Sequence, residues 1–90
     1  MADLETRLSE TLRLLMTRTG QHQGDVAAVL GLTRATLSAR LLGNARWRVG
    51  DLALLGDHFG LTPCELISGY AAIPPDRLPP SRIAPGQTRI

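Results

Sequence analysis

Apolar residues recur along this chain every three or four positions, the period of a helix that buries one face. Leu4, Leu8, Leu12 and Leu15 form the first stripe, with Arg7, Glu10, Arg13 and Thr17 largely opposite. This spacing predicts a helix over 3–18, which Gly20 ends. Asp3 and Glu5 near its start and Arg13 and Arg18 near its end suit the helix dipole. Val26, Ala27 and Leu30 mark a second helix. Gly31 stops it, because glycine takes left-handed backbone angles without a Cβ penalty. Thr33 caps a third helix, whose Leu37 and Leu41 point inward.

Gly43 closes that helix, and Asn44 to Arg48 form a loop. A fourth helix over 49–59 turns Val49, Leu52, Leu55 and Phe59 inward, with Asp51 in its first turn and Gly60 after it. Thr62-Pro63-Cys64-Glu65 is a capping box with proline at the first helical position. It opens a short fifth helix carrying Leu66 and Ile67. No run alternates as a strand would, so the expected fold is all-α with five helices.

The composition changes from Ile73 onward. Pro74, Pro75, Pro79, Pro80, Pro85 and Gly86 leave no room for a helix. One domain over 1–72 is therefore expected, with an extended or disordered tail over 73–90. Two sharper readings of the tail stand beside that one. It can reach a polyanion through Arg77, Arg82 and Arg89, or pack on a second subunit through Leu78, Ile83 and Ile90. Ninety residues support a single small core. Trp47, Phe59 and Tyr70 are the only aromatics, so that core must be built of Leu, Val, Ile and Ala.

The net charge is +2, and its distribution matters more than its size. No acid lies between Asp25 and Asp51, whereas Arg34, Arg40, Arg46 and Arg48 all do. One sign of charge gathered over the third helix and the loop after it is the footprint of a polyanion-binding surface. All ten basic residues are arginine. No cationic start is followed by an apolar stretch, and no apolar run reaches membrane-spanning length, so a cytoplasmic protein is expected. The single Cys64 fits a reducing compartment. Catalysis has little support: His22 and His58 stand apart, and Ser38 and His58 fall on different helices without a third partner. No residues occur at metal-ligand spacing, so neither enzyme activity nor a metal or cofactor is expected.

Gln23, Val26, Ala27, Gly31, Leu32, Thr33 and Leu37 match a known pattern without insertion: Gln, two variable residues, an aliphatic, Ala, three variable residues, Gly, an aliphatic, then Ser or Thr. In this the chain resembles the Cro and phage-repressor type of helix-turn-helix domain (lambda-repressor-like, XRE-type). The later run FGLTPCEL fits the same family, so the resemblance covers roughly residues 3–68. It departs just before the motif, where Gln21 and His22 stand in place of the usual aliphatic and Ser or Thr. His22 is a weak cap, so a less well fastened start is expected there.

The resemblance implies a transcriptional regulator that binds a double-stranded DNA operator, as a homodimer at least on DNA. The recognition helix, about 33–42, would enter the major groove by its N-terminal end. Base reading would fall to Arg34, Ala35, Thr36, Ser38 and Ala39. Phosphate contacts would come from Gln23, Thr33, Arg40, Asn44, Arg46 and Arg48. Trp47 reads as a lid over the helix junction, and the fifth helix with Tyr70 and the start of the tail as the dimer contact. A rival reading keeps the fold but makes it an antitoxin-like or adaptor module, with a protein partner held by the fifth helix or tail.

Overall fold

Each helix begins where a side chain takes up N–H groups that the first turn leaves unpaired. A computed structural model describes residues 3–81 of the chain. It contains α1 (Leu4–Thr19), α2 (Gln23–Leu30), α3 (Arg34–Leu41), α4 (Val49–Phe59) and α5 (Pro63–Ser68), then single 3₁₀ turns at Tyr70–Ala72 and Pro75–Arg77. No strand occurs among the described residues. Asp3 caps α1 by accepting from the Thr6 N–H at 2.7 Å, and Thr33 caps α3 by accepting from the Thr36 N–H at 3.1 Å. At α5, Thr62 and Glu65 cap each other's backbone, at 2.8 and 3.1 Å.

Neither His22 nor Arg48 suits the position before a helix, yet α2 and α4 start there. In both, an aspartate three residues on reaches back. Asp25 accepts from the His22 N–H at 2.9 Å, and Asp51 from the Arg48 N–H at 2.9 Å. The weak start expected at His22 is thus fastened from inside the first turn.

Leu8, Leu12 and Leu15 of α1 meet Val26, Ala27 and Leu30 of α2, Leu37 and Leu41 of α3, Leu55 and Phe59 of α4, and Leu66 of α5 in one core. Gly56 allows the tightest approach in it, since a Cβ there would lie 2.5 Å from the Leu61 carbonyl oxygen. Two residues expected inside are exposed: Leu4 at 56% and Val49 at 84%. Each is the first residue of its helix. Helical side chains lean toward the N-terminus, so a first-position side chain projects past the packed face. Thr11 is fully buried instead, its hydroxyl donating to the Arg7 carbonyl at 2.8 Å.

Packing continues past Ile73, where the composition changes. Ile73 is buried in the core and Leu78 packs against it. Arg18 donates through Nε to the Pro79 carbonyl. Arg77 pairs with Glu65 at 3.0 Å and donates to the Gly60 carbonyl at 3.2 Å. Proline forbids a helix here but not burial, and two apolar side chains with two guanidinium groups suffice to hold the segment down. Arg77 and Leu78 thus make contacts within their own chain. Arg82, Ile83, Arg89 and Ile90 lie outside the described residues.

This fastening is acid-sensitive. Bonding from Arg77, and then from the Thr62 backbone, holds the Glu65 carboxyl at about 2 instead of 4.5. A lowered folded value means that the stabilisation is complete above 4.5 and disappears as pH falls toward 2. Protection of the Ile73 and Leu78 amides, taken relative to the intrinsic exchange rate at each pH, is predicted to fall over that interval. Glu65→Gln should lower that protection already at neutral pH and remove its dependence on pH.

Candidate nucleic-acid interface

Two eight-residue helices, α2 and α3, are joined by Gly31, Leu32 and Thr33. Gly31 adopts φ +69°, and the N–H groups of Gly31 and Leu32 return to the Ala28 and Ala27 carbonyls at 3.2 and 2.9 Å. The reversal leaves Thr33 to cap α3 at once, so the turn has no slack.

Leu37 and Leu41 of α3 are buried as expected. Arg34 and Ala35 are exposed, while Thr36, Ser38 and Ala39 are half-buried. The outer face of α3 is thus a shallow surface of small side chains with one long cation at its N-terminal end. The Thr36 and Thr33 hydroxyl oxygens lie 2.9 Å apart, which fixes both on the turn side of that face. Gln23, the first residue of α2, is half-buried, and Asn44 is exposed. The Asn44 N–H closes α3 on the Ala39 carbonyl at 2.8 Å.

Arg40, expected as a phosphate contact, is buried instead. Its relative exposure is 5%, and its guanidinium forms a buried ion pair with Asp51. The reason is helical period: Arg40 lies three residues after Leu37 and shares its inward face. Asp51 therefore has two tasks, capping α4 at Arg48 and neutralising a cation of α3. Nε of Arg40 is buried without a partner.

The loop between α3 and α4 is tied to α1 by bonds that span about half the described chain. Arg13 donates to the Leu41 carbonyl at 3.1 Å, a cation at the C-terminus of α3. The Trp47 indole N–H donates to the Ser9 hydroxyl at 3.0 Å, and its ring covers the core edge, in the position expected of a lid. The Trp47 backbone N–H donates to Glu5 Oε1 at 3.0 Å, and Arg46 Nη2 lies 3.3 Å from Glu5 Oε2. A groove of about 500 Å³ between α1 and the loop includes Glu5, Ser9, Arg13, Arg40 and Arg46 in its walls.

The remaining α3 and loop arginines fall into two kinds of surroundings. Arg34 and Arg48 make no ion pair among the described residues, while Arg46 faces an acid from α1. The stretch without acids in the sequence is not without acids in space. Asp3, lowered chiefly by the Thr6 backbone and side chain, also feels Arg46 as a minor contribution. Among the described residues no three His, Cys, Asp or Glu side chains gather at metal-binding distance. No helix there is long and apolar enough to cross a membrane. Comparison with protein-family models, with curated proteins and with solved structures found no match in any of the three.

Proposed function

We propose that this chain is a sequence-specific, double-stranded-DNA-binding transcriptional regulator with a lambda-repressor-like fold, acting in the cytoplasm. The observation that carries the reading is the outer face of α3. Its inner face is locked by Leu37, Leu41 and the Arg40–Asp51 pair, and its outer N-terminal end offers Arg34 beside Ala35. A rigid helix with a flat, small-residue outer face fits the major groove. The Arg34 guanidinium can then donate to both acceptors of a guanine edge, and the methyl groups of Ala35 and Ala39 can meet thymine methyls. Ser38 and Thr36 serve base or phosphate.

Phosphate contacts would come from Gln23, Thr33, Asn44, Arg46 and Arg48, which set register without reading sequence. One such helix reads few base pairs. A two-fold dimer with half-sites ~34 Å apart, about ten base pairs, is the corresponding assembly on DNA.

Selection of bound sequences from a random duplex pool tests the function directly. A two-fold-related motif should be enriched, and affinity for it should fall steeply as salt rises. Arg48→Ala should weaken selected and random duplexes alike and lower the salt slope by about one. An unenriched pool, or affinity independent of salt, contradicts the reading. Stoichiometric capture of a cognate protein without any duplex binding would favour an antitoxin-like or adaptor module instead.

A further inference from the structure

We propose that Glu5 is a positioning residue for the α3–α4 loop and an internal stand-in for the phosphate that Arg46 grips, an inference that rests on the DNA-binding reading above. Two donors from the loop converge on one carboxylate. The Trp47 backbone N–H meets Oε1 at 3.0 Å, and Arg46 Nη2 meets Oε2 at 3.3 Å. A main-chain N–H beside a guanidinium is an anion-binding arrangement. In the DNA-free chain, its anion is supplied by the first turn of α1.

The two bonds differ in how easily they exchange. The Arg46 side chain is 90% exposed and that of Glu5 39%, so their ion pair is weak and readily swapped for phosphate. Trp47 is half-buried and also anchored through its indole to Ser9, so the bond from its N–H persists. Glu5 therefore does two opposed things. Its Oε1 keeps the loop in its binding conformation, and its Oε2 competes with DNA for Arg46. The competition makes weak, non-specific duplex binding less favourable without altering base contacts at Arg34.

Substitution separates the two effects. Glu5→Gln keeps an acceptor for the Trp47 N–H and removes the charge. It should bind random duplex about two- to fivefold tighter at low salt, the range that an exposed ion pair represents. Its salt slope should steepen by up to about one, because Arg46, no longer held by a carboxylate, neutralises a phosphate fully and frees the cation condensed there. Arg46→Ala should cost more in the Glu5→Gln background than in the wild type. Glu5→Ala should bind less tightly than Glu5→Gln, with faster hydrogen exchange at the Trp47 amide, because the loop has lost its acceptor.

Asp57→Asn serves as the control for bulk charge, since Asp57 is an exposed α4 carboxylate with no ion pair among the described residues. The experiment is salt-titrated binding of these full-length variants to a short random duplex, with exchange measured on the free proteins. Four results overturn the proposal: Glu5→Gln no tighter than wild type; an Arg46→Ala cost equal in both backgrounds; Glu5→Ala equal to Glu5→Gln; or Asp57→Asn matching Glu5→Gln. If wild type and every variant fail to bind duplex at low salt, the DNA-binding reading itself fails and the Glu5 assignment falls with it.

Discussion

Asp51→Ala is expected to destabilise the fold by about 3–5 kcal/mol, the cost of leaving one member of a buried ion pair without the other. The Arg40 guanidinium would remain at a site with 5% exposure, and its Nε already lacks a partner. The same substitution removes the acceptor for the Arg48 N–H, so the start of α4 frays as well. Arg40→Ala should be costly for the mirror reason, a stranded carboxylate. The pair need not favour the fold over an apolar substitute, however, because desolvating two charges offsets their attraction. Arg40→Met combined with Asp51→Leu should thus lie closer to wild type than either single change. Urea unfolding of the four proteins decides it. Single variants within about 0.5 kcal/mol of wild type would mean that the pair behaves as a surface contact.

The consequence reaches function because the pair joins α3 to α4. Arg40 is held on the inner face of the helix whose outer face carries Arg34. On the proposed DNA-binding reading, loosening it should lower DNA affinity without changing which sequence is preferred.

Local signals in the sequence located the helices well. The run Thr62-Pro63-Cys64-Glu65 specified the start of α5 because a cap, a proline and a reciprocal carboxylate all act within one turn. Gly31 and Thr33 did the same for the α2–α3 reversal. What was not legible depends on partners far apart in sequence. Nothing near Glu5 indicates that it will accept from Trp47, or near Arg13 that it will cap the Leu41 carbonyl.

Proline content hid the burial of Ile73 and Leu78, since composition reports what a segment cannot form and not what it packs against. At Arg40 two signals in the sequence conflict. Its three-residue spacing from Leu37 places it inward, whereas its charge points to solvent. The sign pattern along the chain also misled in part, because α1 brings Glu5 to a loop that looked free of acids.

Arg34 carries the second large effect. Ala35, Thr36, Ser38 and Ala39 offer few donors, so direct discrimination between bases should depend mainly on its guanidinium. Losing a bidentate contact to guanine costs ~1–3 kcal/mol. Arg34→Ala should lose that contact, and Arg34→Lys should restore only part of it, because an ammonium lacks the planar fork. Both variants should fold normally, since Arg34 is an exposed first-turn residue with no ion pair among the described residues.

The most direct measurement is competition binding of wild type, Arg34→Ala and Arg34→Lys against the selected operator and against copies altered at a single G·C pair in each half-site. The account predicts that wild type discriminates at one such pair by ~1–3 kcal/mol, that Arg34→Ala abolishes that discrimination, and that random duplex is bound almost as before. Equal weakening of every sequence by Arg34→Ala would contradict it, making Arg34 a phosphate contact and leaving specificity to DNA shape.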